Sequence, residues 1–267
     1  MEYGRTLRGI MAVLAAALVA TVSAGPAQAQ QLPTLVLVHG AFADATSWDG
    51  VAAVLRERGY RVVTPDNPLR GPAHDAAAVQ RTVDTITGPV VLVGHSYGGS
   101  VISNVRDPKV ESLVYIAAFA PEQGEMSQAA LNPIRFPGSR LLPPALQVKV
   151  VDDTTGIAGK NLDAYIAPAS FNSVFAQDVD AATAADMVAR QRSIAVMANL
   201  EPSGPPAWSD TPSWYLVSAD DRVIPPASQR FMAERMGART SEIDSSHAAP
   251  VSSPDEVAAV VEAAASH

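Results

Sequence analysis

Between Gly88 and Asn104 the chain reads GPVVLVGHSYGGSVISN, and no other stretch restricts the fold so tightly. Pro89 to Val93 is a β-branched and leucine run suited to a buried strand, and Gly98 or Gly99 opens a segment able to continue as a helix. Between them, Gly94-His95-Ser96-Tyr97-Gly98 must turn the chain within five residues. Lifting Ser96 clear of a sheet forces an unfavourable backbone conformation and brings strand and helix so close that side chains two residues to either side would clash. Gly94 and Gly98 remove those clashes. A strand, a glycine-flanked serine and a helix in succession are the sequence form of a nucleophile elbow.

The segments around this turn repeat one rhythm. Leu35 to Val38 is an apolar run suited to a parallel strand buried on both faces, and it ends in His39-Gly40-Ala41-Phe42. Ser47 or Thr46 can cap a helix carrying Val51, Val54 and Leu55 on one face, stopped by Gly59. Arg61 to Val63 reads as the second strand, about Asp75 to Ile86 as a helix, the elbow strand as third and Val110 to Phe119 as fourth. Trp214 to Ser218 reads as the fifth, with a helix over Pro226 to Met236, and Thr240 to Ile243 as the sixth. Ser253-Pro254-Asp255-Glu256 opens a last helix with a capping serine and a proline at the first helical position. The expected fold is α/β: a doubly wound, mostly parallel sheet of about six strands.

One segment breaks the rhythm. Prolines at 133, 137, 143, 144 and 168 precede a helical stretch from Asp178 to Ala195, and Pro202, Pro205 and Pro206 follow. A helical cap insertion of about residues 121–210, lying over the strand C-terminal ends where ligands bind, is the simplest reading. Phe136, Leu141, Leu142, Phe171, Phe175 and Met187 are the apolar side chains expected to line it, whether against substrate or as cap core.

The N-terminus reads as a targeting segment. Arg5 and Arg8 form a basic start, Ile10 to Val22 an apolar run, and Ala27-Gln28-Ala29 a small-x-small site, so residues 1–29 are expected to be a signal peptide cleaved after Ala29. The run is too short and alanine-rich for a comfortable membrane span. Export places residues 30–267 in a secreted or periplasmic setting, where the absence of cysteine leaves stability to packing alone. The 17 basic and 26 acidic side chains that remain, with no Lys/Arg-rich run, speak against nucleic acid as a partner.

Ser96 needs a base, because a serine hydroxyl is a poor nucleophile at neutral pH, and the base needs a carboxylate to fix its tautomer. Among five histidines, His247 lies in Asp244-Ser245-Ser246-His247, after the last strand, where a loop can reach the elbow. His95 is held inside the elbow and aimed away from Ser96, His39 follows another strand end, His74 precedes a helix and His267 is terminal. The acid should follow the fifth strand: an Asp-x-x-Ile-Pro turn directs Asp221 inward, Asp220 is placed to cap that turn, and Glu122 is a third candidate. Backbone N–H groups should face the developing oxyanion, one from Tyr97 and one from Ala41 or Phe42, with Gly40 permitting close approach.

VHGAF with Trp48, GHSYGG, LVYIAAFAP, DRVIPP and SSHAAPVSSPDEV together resemble the α/β-hydrolase superfamily, and within it the small bacterial esterases related to plant methylesterases and hydroxynitrile lyases. The resemblance runs from about Leu35 to the C-terminus at these motifs. It implies a serine hydrolase for carboxylic esters, working through an acyl-enzyme without cofactor or metal, with Ser96, Asp221 and His247 as triad and Ala41 and Tyr97 as oxyanion donors. The apolar cap and the 21 prolines suggest a hydrophobic, medium-sized ester rather than a charged substrate. Lyase relatives place a cap lysine over the nucleophile, and Lys149 and Lys160 are the cap lysines here. A hydroxynitrile-lyase-like, haloperoxidase-like or perhydrolase-like enzyme with the same triad, or a ligand receptor retaining a vestigial site, are the alternative readings.

Overall fold

The computed structural model describes Met1 and residues 31–267; the expected signal peptide and its cleavage site lie outside the described residues. From the N-terminal side the chain builds β1 (Thr34–Val38), α1 (Asp49–Glu57), β2 (Val62–Val63), α2 (Pro72–Asp84), β3 (Val90–His95), α3 (Tyr97–Ser103) and β4 (Val110–Ile116). There follow β5 (Leu146–Ile157), β6 (Lys160–Ile166), α4 (Pro168–Phe175), α5 (Ala181–Arg190) and β7 (Ile194–Ala195). The last third contributes β8 (Ser213–Ser218), α6 (Pro226–Arg235), β9 (Arg239–Ile243), α7 (Ala249–Ser252) and α8 (Pro254–Ala265).

Six strands pair side by side in the order β2-β1-β3-β4-β8-β9, every pair parallel. Such a sheet must be covered on both faces, and the alternation of strand side chains divides its apolar residues between them. Leu35, Leu37, Val91, Val93, Val114, Ile116, Trp214 and Leu216 pack with α1 and α8, while Val36, Val38, Leu92, Leu113, Tyr115, Tyr215 and Val217 pack with α2, α3 and α6. Each fully buried Val or Leu contributes about 1.5–3 kcal/mol. Because the chain steps from β1 outward to β2 and then returns to β3 on the other side, strand order reverses between β1 and β3. A crevice opens at the C-terminal ends of strands at such a point. His39-Gly40-Ala41 and Ser96 leave the sheet there.

The segment between β4 and β8 departs from the all-helical cap expected. It holds helices α4 and α5, but also an antiparallel sheet in the order β5-β6-β7, built on a hairpin whose strands pair from Leu146↔Ile166 to Asp152↔Lys160. The expected helix from Asp178 to Ala195 is shorter at both ends. Asp180 caps α5 through bonds from the Ala182 and Thr183 N–H groups, and Ile194 and Ala195 are strand. Two smaller differences have local causes. Asp44, rather than Ser47 or Thr46, caps the short turn leading into α1, accepting from the Thr46 N–H. Helix α2 starts three residues early because Pro72 is preset for the first helical turn.

Candidate active site

Ser96 is held at φ 53° and ψ −121°, a strained conformation for a residue with a Cβ. The strain persists because its surroundings leave no slack. A Cβ on Gly94 would lie 2.6 Å from the Gly98 carbonyl carbon, and one on Gly98 would strike the Val38 carbonyl oxygen. The nucleophile loop is thereby pressed against the end of β1. Gly40 sits directly opposite: a Cβ there would come 2.7 Å from Ser96 Cβ and 2.9 Å from the His95 carbonyl oxygen.

Three loops bring their side chains to this point. The Ser96 hydroxyl lies 2.8 Å from His247 Nε2, and His247 Nδ1 lies 2.6 Å from Asp221 Oδ2. A carboxylate only accepts, so Nδ1 carries the proton and Nε2 offers its lone pair to the Ser96 hydroxyl. Asp221 Oδ1 also accepts from the Val223 and Ile224 N–H groups at 2.7 and 2.9 Å, and Gln229 Nε2 donates to Oδ2 at 2.7 Å. The Asp-x-x-Ile-Pro turn thus folds around its own first residue. Asp220 takes another part: its N–H donates to the Ser245 carbonyl, tying the acid loop to the base loop, and Glu122 lies beside Arg235. All three side chains are buried, with Ser96 only 4% exposed.

Two backbone donors face no protein acceptor among the described residues: the N–H of Ala41 and that of Tyr97, the first residue of α3. Phe42 is different. Its N–H donates to the Arg192 carbonyl at 3.0 Å, so of the three expected oxyanion donors Phe42 is engaged elsewhere. Tyr97 is fastened at its far end as well, its hydroxyl donating to the fully buried Asp75 at 2.8 Å. Burial, together with that carboxylate, pushes the phenol well above its ordinary pKa.

His95 does not merely fill the elbow. Its Nε2 donates to the carbonyl oxygen of His247 at 2.7 Å, and its ring lies 4.8 Å from the His247 ring. Burial, then the neighbouring His247, hold its pKa well below the ordinary value, so it stays neutral while its ring holds the His247 carbonyl. Sequence reasoning missed this role because strand alternation fixes only the side of the sheet to which His95 points, not what the distant loop brings there. His39 is likewise buried, its pKa lowered first by that burial, with Nε2 accepting from the Asn67 N–H.

The apolar residues expected over the site divide into four groups. Leu141 and Leu142 line a cavity of about 220 Å³ with Phe42, Leu131, Leu146, Val148, Ile194, Val196 and Leu200. No charged side chain lines it. Met187 and Phe42 line a smaller neighbouring hollow of about 100 Å³. Phe175 packs edge-on against the His247 ring at 4.9 Å and against Phe42 at 6.5 Å. Phe136 and Phe171, by contrast, are packing residues: Phe136 lies against Phe231, and Phe171 is fully buried on Phe175. A wider hollow of about 730 Å³ opens beside the hairpin near Arg70 and His74, but Arg70 is occupied there by Asp163 and Asp153.

A family model described as "Alpha/beta hydrolase family" matches residues 35–260. A pyrethroid hydrolase of Sphingobium wenxiniae is 28% identical over 250 residues, covering 85% of each chain. A carbendazim hydrolyzing esterase of a Nocardioides species is 36% identical over 135 residues, or 45% of this chain and 53% of that protein; the match thus spans about half of the relative's length. Among solved structures, polyneuridine aldehyde esterase superposes with a TM-score of 0.74 at 18% identity, covering 87% of this chain and 99% of the other. A pyrethroid hydrolase from Sphingobium faniae gives 0.72 at 22%, covering 88% and 98%.

Proposed function

This chain belongs to the alpha/beta hydrolase family, and from that premise we propose that it is an exported serine esterase that cleaves hydrophobic carboxylic esters of medium size. The observation that carries the reading is the unbroken hydrogen-bonded line from Asp221 through His247 to Ser96. In the reaction, Ser96 Oγ attacks the ester carbonyl as its proton passes to His247 Nε2, and Asp221 holds the imidazole and stabilises its charged form. The oxyanion forms against the Ala41 and Tyr97 N–H groups, where one well-placed donor contributes about 3–4 kcal/mol to the transition state. His247 returns the proton to the departing alcohol, and water then releases the acid from the acyl-enzyme by the same steps reversed.

The substrate class follows from the cavity beyond Phe42, whose lining is largely aliphatic and uncharged. The curated relatives, named for hydrolysis of a pyrethroid and of carbendazim, agree in kind. The lyase alternative needs a lysine over the nucleophile. Lys149 instead lies over the Tyr165 ring, and Lys160 pairs with Asp152 on the exposed hairpin. Export rests on the basic start, apolar run and Ala27-Gln28-Ala29 site, and secreted material should begin at Gln30 by N-terminal sequencing.

Ser96→Ala is expected to abolish turnover of p-nitrophenyl esters and labelling by a fluorophosphonate, with Tm almost unchanged. Turnover equal to that of the unaltered protein would overturn the assignment of Ser96.

A further inference from the structure

Two loops must hold their places for the proposed triad to work: the acid loop after β8 and the base loop after β9. Both are fastened to one short piece of the insertion. Just after α4, the Gln177 side chain donates from Nε2 to the Asp220 carbonyl at 2.8 Å. The next residue, Asp178, accepts at Oδ2 from the Ser246 N–H at 2.7 Å and from the Ser245 hydroxyl at 3.3 Å. One turn earlier, Arg222 of the acid loop donates to the Ser173 carbonyl at 2.9 Å, and the Phe175 ring rests against His247. Ser246 immediately precedes His247, so the Asp178 bond holds the Ser245–Ser246 peptide, one residue before the imidazole.

We propose that Asp178, with Gln177 beside it, is a positioning residue of the catalytic base: the connector after α4 clamps the acid and base loops in register, so the insertion sets the His247–Ser96 geometry as well as covering the substrate. The proposal rests on the reading of Ser96, Asp221 and His247 as a triad. Its physical content is directional. The Ser246 N–H has its partner in the insertion, not in the sheet, so when that partner is lost nothing in the sheet replaces it. Opposite it, His95 holds only the carbonyl side of His247. With the Asp178 bond gone, the base loop keeps the Asp220 bond to the Ser245 carbonyl but loses its hold on the insertion, and it can shift enough to draw Nε2 away from the Ser96 hydroxyl. Displacements of about 1 Å at reacting atoms cost up to about a hundredfold in rate. The insertion therefore cannot admit substrate by lifting α4 without also disarming the base.

The test compares Asp178→Ala with Asp178→Asn, in which the amide oxygen can still accept from Ser246, and with Gln177→Ala. Each is assayed for kcat and KM on a p-nitrophenyl ester, for Tm, and by proton NMR for the low-field His247 Nδ1–H resonance that a short bond to Asp221 produces. Asp178→Ala should lose at least about tenfold in kcat with KM within about twofold, and should lose or broaden the resonance. Asp178→Asn should recover most of both, and Gln177→Ala should fall between. If Asp178→Ala keeps its kcat and its resonance, or if Asp178→Asn is as damaged as Asp178→Ala, the clamp is refuted. Because the resonance is read without turnover, an unaltered protein that hydrolyses no ester would sink the esterase reading while the clamp is still judged by the resonance.

Discussion

A single absent side chain at residue 40 decides how closely the β1 loop approaches the nucleophile. Any Cβ at Gly40 would meet both Ser96 Cβ and the His95 backbone oxygen, neither of which is a flexible end able to swing away. Gly40→Ala should therefore push the two loops apart. The expected cost is about 1–3 kcal/mol of stability through overpacking, and a fall of up to about a hundredfold in kcat as Ser96 and the Ala41 N–H lose their common geometry. Thermal unfolding and steady-state kinetics on the purified variant check both; wild-type kcat at an unchanged Tm would show that the approach is looser than described. Tyr97 illustrates the same economy. Its peptide N–H has no protein partner among the described residues while its hydroxyl is anchored on Asp75, so one residue joins the elbow to the start of α2.

The elements most legible in the sequence were those with the simplest environment. Strands β1, β3, β4 and β8 are buried on both faces, so their apolar runs admitted little else, and the turns after them carried Ser96 and Asp221 into place. Hairpin β5–β6 was not legible, for a physical reason. Val148 and Val150 point to the exposed side, their neighbours are Lys149, Asp152 and Asp153, and nothing in that pattern announces a buried face. The hairpin is secured instead by contacts distant in sequence. Arg70 grips Asp163 of β6 with two bonds of 2.7 and 2.8 Å and Asp153 of the hairpin turn with a third of 3.0 Å. Ser193 adds a bond to Asp163, whose side chain is 1% exposed. Arg70→Ala would leave that carboxylate buried and unpaired, which costs about 3 kcal/mol or more. Tm should fall by roughly 2–4 °C for each kcal/mol lost, with hairpin amides exchanging faster in hydrogen–deuterium exchange. A variant with unchanged Tm and protection would show that the hairpin stands without its arginine.

Across the whole molecule, the features that build the site also set how the fold answers to acid. His39 and His95 are both buried and neutral, their pKa values lowered first by that burial, whereas in an unfolded chain each would titrate near 6.5. Below that pH the unfolded state binds protons the folded state refuses, so stability is fully present above about pH 6.5 and is lost as pH falls. Two such groups give a slope of up to about 2.7 kcal/mol per pH unit. A second loss begins lower. Bonds from Asn161 and then Thr155 hold the Asp153 carboxyl down at about 2, and in Glu125 burial pushes upward most strongly but the bonds from Arg235 and the Glu122 N–H, with the nearby Arg235 and Arg135 charges, together outweigh it. Each of these carboxylates contributes stability above its unfolded pKa, near 4, and loses it as pH falls through the folded value. Urea unfolding followed between pH 8 and pH 3 should show a plateau down to about pH 6.5, a decline from there, and a steeper decline below about pH 4. A midpoint that stays level between pH 7 and pH 5 would mean that the two histidines take up protons without leaving the fold, and that the interior beneath the elbow is wetter than its packing implies.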